Sequence, residues 1–313
     1  LPDYFGFRLT GNKLSEYTNG STTQLVNPDT FQWDKELIRK LGYPEDIFLP
    51  LQMPGTKVGQ LLPEIQKEVG FDLEVVLCGS HDTASAVMAV PQTEGDGIYI
   101  SSGTWSLMGI ESLKPVITED AAAANFTNEG GYDHRFRFLK NIMGLWMIQS
   151  VRHEYNDAYS FAQLCDMAEE SKEFPSRVDV NDQSFLSPDS MVEAIRQYCH
   201  KTGQPVPESV GELTSVVYRS LAQSYGETVR GLEKIAGKTY DSIHIIGGGS
   251  NAAYLNQLTA DATGKTVYAG PGEATAIGNL LAQMIHAGDL ADLKSARKCV
   301  RESFEIKTFA PAK

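Results

Sequence analysis

The clearest helical pattern in the chain runs from Thr214 to Ala236. Apolar side chains recur there every three or four residues, which is the spacing of one face of an α-helix. They are Val217, Leu221, Tyr225, Val229, Leu232 and Ile235. Gly237 provides a stop signal for this helix. Other helices are predicted near 190–201, near 251–263 and over 273–287. The residues after Ala287 are predicted to hold a strand at most.

Short apolar runs elsewhere in the chain predict strands. The predicted strands are Leu73–Cys78, Ile98–Ser101, Trp105–Ile110, Ile243–Ile246 and Val267–Ala269. A run of small residues from Ser80 to Val90 predicts a helix that ends at Pro91. Because strands alternate with helices, the pattern predicts an α/β fold. The turn at Gly95–Gly97 predicts a boundary between two domains, 1–92 and 93–313.

The segment from Leu139 to Tyr155 is also predicted to be a helix. Asn141 and Gln149 are then about two turns apart on roughly one face. Solvent exposure is the ordinary state of such amides. Trp146 on the same segment is expected to pack in the core.

Composition narrows the classes of function. The chain has 313 residues and a net charge of -13, from 40 acidic and 27 basic side chains. This balance disfavours nucleic acid as a partner, and no apolar run approaches the roughly 20 residues of a membrane span. Any anion site must therefore be built locally from backbone N–H groups and helix ends. The four cysteines form no C-x-x-C pair, which predicts reduced thiols, no structural zinc and a cytoplasmic location.

Asp82 is the leading candidate for chemistry. It follows a buried strand within Gly79-Ser80-His81-Asp82-Thr83-Ala84-Ser85-Ala86, at the start of a predicted helix. Ligand sites of open α/β sheets lie outside the carboxyl ends of the strands, and a carboxylate there can accept a hydroxyl proton. A first-turn carboxylate stabilised by the helix dipole is the alternative. No second ligand stands at metal spacing from His81, so we expect it to hydrogen-bond a polar substrate and predict no protein metal site.

Two turns are candidates for holding phosphate. Ser101-Ser102-Gly103-Thr104 is either an ordinary hairpin turn or a phosphate-binding hairpin in which Thr104 is a donor. Gly247-Gly248-Gly249 formally opens a dinucleotide-binding pattern. The next strand does not end in the carboxylate that a dinucleotide site needs. We therefore favour a turn whose backbone approaches an adenosine or a phosphate, with a plain tight turn or a dinucleotide oxidoreductase as alternatives.

Several segments together resemble the FGGY carbohydrate kinases, and the resemblance covers essentially the whole chain. The segments are Glu16–Gln24, the Ser-His-Asp-Thr-Ala-Ser-Ala run, Ser-Ser-Gly-Thr-Trp-Ser-Leu-Met-Gly, Asn128-Glu129-Gly130-Gly131, Leu139–Trp146 and the Gly-Gly-Gly-Ser run followed by Leu255-Asn256-Gln257. The resemblance implies a two-domain actin/hexokinase-like ATPase fold of the ribonuclease H-like type. It also implies ATP-dependent phosphorylation of L-rhamnulose at its primary hydroxyl in rhamnose catabolism, with Mg²⁺ bridging the phosphates.

The resemblance also implies roles for individual residues. Asp82 resembles the catalytic base, and its neighbours His81 and Thr83 resemble sugar contacts, as does Asn141. Contacts to the nucleotide are implied for two turns and one helix. These residues are Gly103, Thr104, Gln149, Gly247, Gly248 and Gly249.

The chain departs from the family pattern in two places. Asn251-Ala252 replaces the usual Gln-Asn after the glycine run, which removes a basis for an adenine contact there. No Asp-x-Gly-type phosphate hairpin precedes Leu1, so the chain resembles the end of the first kinase domain followed by the second. A missing N-terminal part of the same polypeptide is therefore an expected partner. A kinase of another ketose or polyol, such as L-fuculose or xylulose, and a non-catalytic sugar or nucleotide binder are the alternatives.

Overall fold

The computed structural model describes residues 1–93 and 95–312. The helices in this part of the chain are α1 (Pro2–Thr10), α2 (Tyr17–Ser21), α3 (Lys35–Lys40), α4 (Pro63–Val69), α5 (Asp82–Met88), α6 (Glu119–Ala123), α7 (Trp146–Glu154), α8 (Phe161–Glu170), α9 (Met191–Lys201), α10 (Val210–Ala236), α11 (Ala253–Thr263), α12 (Ala274–Ala287) and α13 (Leu293–Ser303). The strands are β1 (Ser15–Glu16), β2 (Val26–Asn27), β3 (Gln32–Trp33), β4 (Leu51–Gln52), β5 (Lys57–Gln60), β6 (Glu74–Val76), β7 (Ile98–Ser102), β8 (Trp105–Ser112), β9 (Thr127–Gly130), β10 (Phe136–Met143), β11 (Ser242–Ile246), β12 (Thr266–Ala269) and β13 (Lys307–Phe309). Short 3₁₀ helices span Glu45–Ile47, Gln183–Phe185 and Gly248–Asn251.

A seven-stranded mixed sheet organises the molecule, in the order β13-β12-β11-β7-β8-β10-β9. Strand β11 pairs in parallel with β7 and β12, and the other pairings in this sheet are antiparallel. The first 76 residues contribute three separate two-stranded pairs. Helices and strands alternate through the sheet, so the predicted α/β class is confirmed.

Helices cover both faces of the large sheet. One face, with Ile98, Ile100 and Phe138, packs in a core with side chains of α7 to α11. The opposite face, with Tyr99 and Leu139, packs in a second core with α5, α12 and α13. Neighbouring residues of one strand thus serve different cores, as the two-residue period of a strand requires. Within the described ranges, no helix is both long and apolar enough to cross a bilayer.

Capping residues fix the starts of two helices that the apolar pattern alone did not predict correctly. Helix α10 begins one turn before the predicted start because Ser209 and Glu212 form a capping box. It ends at Gly237, as predicted, with a left-handed φ of 62°. The prediction of a strand at most after Ala287 is wrong, because α13 precedes β13. A capping box between Asp292 and Ser295 starts α13.

The helix predicted over Leu139–Tyr155 is also wrong for its first part. Strand β10 extends to Met143 and α7 begins at Trp146, so Asn141 lies on a strand and Gln149 on a helix. Strand β10 pairs along its whole length with β8. Between strand and helix, Gly144 lies against the β7–β8 hairpin, where an added Cβ would be 2.5 Å from the carbonyl carbon of Trp105. Antiparallel pairing and this close approach override the helical spacing of the sequence.

Helix α5 is packed tightly against α12. All its residues after Asp82 are buried, from Thr83 to Met88. At Gly278 of α12, a Cβ atom would lie 1.8 Å from the carbonyl oxygen of Ser85 and 2.4 Å from its carbonyl carbon. The small residues of α5 and the missing side chain at 278 therefore let the two backbones touch.

Gly278→Ala is expected to destabilise the protein by about 2–3 kcal/mol, because the new methyl group meets backbone that must move. Urea unfolding followed by circular dichroism measures this change. Gly231→Ala in α10 is the matched control, since its Cβ would meet nothing closer than Phe126 at 3.9 Å. That control should be neutral or slightly stabilising. Equal stability of the two variants would contradict the close packing described here.

Candidate active site

An open cavity of about 480 Å³ lies at the start of α5, against the large sheet. Its walls come from the loop before α5, the β7–β8 hairpin and strands β9 and β10. The lining residues are His81, Asp82, Thr83, Ser101, Gly103, Thr104, Trp105, Leu107, Glu129 and Asn141. Six of these were predicted from sequence as site residues, and they come from segments up to 60 positions apart in the chain.

Asp82 is the first residue of α5, and its side chain is 79% exposed. Its Oδ1 accepts hydrogen bonds from the backbone N–H of Thr83 at 2.6 Å and from the Thr83 hydroxyl at 3.2 Å. No hydrogen bond from any described residue reaches Oδ2. The carboxylate is therefore anchored through one oxygen, while the other can accept a proton from a molecule in the cavity.

His81 caps α5 with its imidazole. Nδ1 accepts a hydrogen bond from the backbone N–H of Thr83 at 3.2 Å, so we assign the proton of the neutral ring to Nε2. Burial, with the positive charge of Arg137, lowers the pKa of His81 and favours this neutral form. The Nε2–H group lies 3.8 Å from Oε2 of Glu129. His81 can thus donate a hydrogen bond at the inner wall of the cavity.

The loop before α5 is held by the buried carboxylate of Glu16, which is 1% exposed. This carboxylate accepts hydrogen bonds from Thr18 (N–H at 2.7 Å, hydroxyl at 2.6 Å) and from the N–H of Asn19 at 3.0 Å. It also accepts from Ser80, through the N–H at 3.2 Å and the hydroxyl at 2.6 Å. Burial raises the pKa of the Glu16 carboxyl, and these hydrogen bonds oppose the rise. The Thr18 hydroxyl in turn accepts from the N–H of His81 at 3.2 Å.

The turn of the β7–β8 hairpin is tied to the start of α7. The carbonyl oxygens of Gly103 and Thr104 accept from the N–H groups of Leu145 and Trp146, at 3.0 and 3.1 Å. The Thr104 hydroxyl lies 3.5 Å from Oε1 of Gln149, to which it donates. Gln149 therefore lies beside the turn, although it does not line the cavity.

The glycine run after β11 adjoins the hairpin instead of lining the cavity. An added Cβ at Gly249 would lie 2.0 Å from the hydroxyl oxygen of Ser102, and one at Gly247 would lie 3.0 Å from the Ser102 carbonyl oxygen. Gly247 also has a left-handed φ of 83°. Gly248, by contrast, is exposed and has no atom within 4 Å of a would-be Cβ. The run thus leaves one stretch of backbone open to an approaching ligand.

Four lining residues were absent from the sequence-based site, namely Ser101, Trp105, Leu107 and Glu129. Strand register explains their presence. Leu107 lies opposite both Ser101 and Asn141, so these three side chains share one face of the sheet. The predicted helix at Asn141 would not bring these three side chains to one face. Glu129 belongs to the Asn128-Glu129-Gly130-Gly131 segment, for which the sequence predicts no site residue.

Metal-ligating residues do not cluster in the part of the chain that the structure describes: no group of three or more His, Cys, Asp or Glu side chains could hold an ion. The four cysteines are free thiols.

A mixed sheet with helices on both faces, and a cavity beside the carboxyl ends of β7 and β10, agree with an actin/hexokinase-like ATPase fold. Residues 98–287 match the C-terminal domain of the FGGY family of carbohydrate kinases, and residues 1–89 match its N-terminal domain. The chain belongs to the FGGY family of carbohydrate kinases.

Curated relatives are identical to this chain at about half of the aligned positions. The chain is 52% identical over 312 residues to a protein named rhamnulokinase from Halalkalibacterium halodurans, covering 100% of this chain and 66% of that protein. It is 46% identical over 314 residues to a rhamnulokinase from Bacillus subtilis, covering 99% of this chain and 64% of that protein. The chain thus spans about two thirds of the length of the curated relatives it matches.

Solved structures of other kinases share the fold. A ligand-bound xylulose kinase from Lactobacillus acidophilus superposes with a TM-score of 0.75 at 17% identity, over 99% of this chain and 62% of that one. The ADP complex of Plasmodium falciparum glycerol kinase superposes with a TM-score of 0.73 at 15% identity, over 99% and 61%. At such identities the likeness concerns the fold.

Glu16→Gln is expected to lower the free energy of unfolding by about 2–3 kcal/mol, because an amide replaces a charged acceptor of five hydrogen bonds. Thermal or urea unfolding measures the change. Glu68→Gln, at an exposed position of α4, is the control and should have little effect. A Glu16→Gln protein as stable as the control would show that this carboxylate does not hold the loop.

Proposed function

We propose that the chain carries the proton-accepting carboxylate and part of the nucleotide site of a kinase that phosphorylates L-rhamnulose. One observation carries the proposal: the exposed carboxylate of Asp82 and the Gly103–Thr104 turn line the same cavity. A base for the acceptor hydroxyl therefore stands in the same space as donors for a phosphate, the arrangement that phosphoryl transfer requires.

In the proposed reaction, Asp82 accepts the proton of the primary hydroxyl as its oxygen forms a bond to the γ-phosphorus of ATP. The bond between that phosphorus and the β,γ-bridging oxygen breaks, and ADP leaves with the electron pair. The products are L-rhamnulose 1-phosphate, ADP and the proton on Asp82, which then passes to water. Anchoring of Oδ1 by Thr83 supports this role, because it fixes the carboxylate while leaving Oδ2 for the substrate.

The sugar side of the proposed site combines His81, Thr83 and Asn141. The neutral imidazole of His81 offers an N–H donor, and the amide of Asn141 offers both a donor and an acceptor. A ketose presents hydroxyl groups and a carbonyl that match these partners. The presence of these three polar side chains in one cavity supports the proposal that the acceptor is a polyhydroxylated molecule.

The nucleotide side of the proposed site consists of the hairpin turn, Gln149 and the glycine run. The Thr104 hydroxyl beside Gln149 provides polar groups at the turn. The open backbone at Gly248 gives a flat surface on which an adenosine can lie close. Mg²⁺ would be held mainly by the phosphates of ATP and by water, where it would neutralise charge, because this ion keeps several waters and needs only one or two carboxylates.

L-Rhamnulose is proposed as the acceptor because the relatives at 46–52% identity carry the name rhamnulokinase. The same proposal includes a division of the chain into residues 1–92 and 93–313. It also includes a cytoplasmic location, for which free thiols suit a reducing compartment.

Asp82→Asn in the full-length protein is expected to lower kcat by about 10²- to 10⁴-fold, since the amide cannot accept the hydroxyl proton. KM for ATP and for the sugar should change little, because the amide has nearly the shape of the carboxylate. Coupled-enzyme detection of ADP measures both constants. Asp72→Asn, an exposed surface change outside the cavity, is the control. A kcat within about threefold of the control would exclude Asp82 as the base.

The acceptor itself is tested by a panel of L-rhamnulose, L-fuculose, xylulose and glycerol with the wild-type protein. L-Rhamnulose is expected to give a kcat/KM at least about tenfold above the others, which a few well-placed polar contacts can provide. A higher value for another sugar would assign the same chemistry to that sugar. ATP binding by calorimetry without turnover on any of the four would show a non-catalytic binder.

A further inference from the structure

A buried ion pair lies at the inner wall of the cavity, with no part in the reaction described above. Glu129 of β9 and Arg137 of β10 are directly opposite each other in the sheet. Oε2 of Glu129 lies 3.1 Å from Nη2 of Arg137, whose side chain is fully buried. The same guanidinium group is also fixed through its Nε, which donates to the carbonyl oxygen of Gly130 at 3.0 Å.

The carboxylate of Glu129 faces the same space as Asp82. Arg137 and Asn141 are four residues apart on β10, so Glu129, Arg137 and Asn141 share one face of the sheet. Glu129 lines the cavity although its residue is only 9% exposed. His81 stands above it, with Nε2 at 3.8 Å from Oε2.

This carboxylate lacks hydrogen bonds that its burial demands. Oε2 of Glu129 is buried without a hydrogen-bond partner among the described residues, and so are both terminal nitrogens of Arg137, whose approach to the carboxylate is off-angle. A buried acceptor without a donor is costly. The other oxygen, Oε1, also accepts no hydrogen bond from the described residues, and Glu129 lines the cavity. A ligand hydroxyl entering the cavity can donate to Oε1, and a carboxylate is a strong acceptor for sugar hydroxyls.

We propose that Glu129 is a sugar-binding residue, which accepts a hydrogen bond from a substrate hydroxyl other than the one that is phosphorylated. Arg137 is a positioning residue that holds the carboxylate at the cavity wall. The inference rests on the proposed kinase function, since it assigns the hydroxyl to the acceptor sugar. It adds a second carboxylate in the cavity of Asp82 that selects among polyhydroxylated acceptors.

The first test uses Glu129→Asp in the full-length protein. The shorter side chain keeps the charge beside Arg137 but withdraws the acceptor from the cavity. The expected result is a sugar KM raised by about 10- to 100-fold, the range for a hydrogen bond to a charged group. KM for ATP should stay within about threefold, because the nucleotide side of the site is untouched.

The matched control is Glu111→Asp. Glu111 lies opposite Arg137 on β8, on the same face of the sheet, and forms its own partly buried ion pair with Arg297. It does not line the Asp82 cavity. Shortening it should leave the sugar KM unchanged.

A second test separates two roles of Glu129, binding of the sugar and neutralisation of the Arg137 charge. Glu129→Gln leaves a buried guanidinium unpaired and is expected to destabilise the fold. In the double variant Glu129→Gln/Arg137→Met no unpaired charge remains, so stability should recover while the sugar KM stays raised at least about tenfold. Recovery of the wild-type sugar KM in the double variant would overturn the proposal and leave Glu129 as a partner of Arg137 alone.

Singly deoxygenated analogues of the ketose identify the hydroxyl. One analogue should bind poorly to the wild-type protein and lose nothing further in Glu129→Asp, because both changes remove the same hydrogen bond. An active wild-type protein with unchanged sugar KM in Glu129→Asp would overturn this inference alone. A wild-type protein that phosphorylates no ketose or polyol would overturn the kinase proposal, and with it the sugar site.

Discussion

The position of the candidate site depends on the buried carboxylate of Glu16. The segment before α5 contains only short two-stranded pairs. Strand β6 ends at Val76 and its backbone pairing continues only to Leu77, so no strand pairing holds the loop from Cys78 to His81. Glu16 replaces such a ladder with five hydrogen bonds, two of them from Ser80. Charge-assisted bonds to a fully enclosed carboxylate are about twice as strong as neutral ones. This arrangement compensates the desolvation of the charge and fixes the loop at the same time.

Helix α5 is fixed from the opposite side by contact with α12. The Thr275 hydroxyl of α12 donates to the carbonyl oxygen of Asp82 at 3.3 Å, and Gly278 lets the backbone at Ser85 approach closely. Within α5, only Asp82 keeps an exposed side chain, while the next six residues are buried. The exposed Asp82 carboxylate thus begins a helix whose backbone has little freedom to move. The packing of small residues therefore serves the geometry of the cavity as well as the stability of the fold.

Local signals in the sequence predicted helices α5, α9, α10, α11 and α12 and the strands β7, β8 and β11 at the centre of the sheet, because those elements carry their own periodicity or stop signals. Helix α10 and its stop at Gly237 are examples. Asn141 was misplaced because the spacing of apolar residues around it fits a helix, and only pairing with β8 shows that it belongs to a strand. Helix α13 was not predicted, although the capping box of Asp292 and Ser295 at its start is a signal present in the sequence.

The full set of residues around the cavity was harder to predict from the sequence than Asp82 itself. Asp82 and its neighbours are contiguous, so one motif places them together. Glu129 and Arg137 become a pair only through the register of β9 with β10, and burial of Arg137 cannot be inferred from an eight-residue separation in sequence. Side chains brought together by strand register are invisible to a motif search, since each one alone looks like an ordinary polar residue.

A net charge of -13 makes a site for an anionic nucleotide an electrostatic problem for this chain. Such a charge repels anions at long range, so the phosphates must be held by short-range donors. The candidate nucleotide side accordingly uses a hydroxyl at Thr104 and open backbone at Gly248, neither of which carries a charge.

The two acidic side chains that line the cavity have different surroundings. Asp82 is exposed and partly hydrogen-bonded, which suits proton transfer, whereas Glu129 is enclosed beside Arg137, which suits recognition of a neutral hydroxyl. Two carboxylates in one cavity can thus have different roles, proton transfer and substrate recognition, because one faces solvent and the other faces a buried cation.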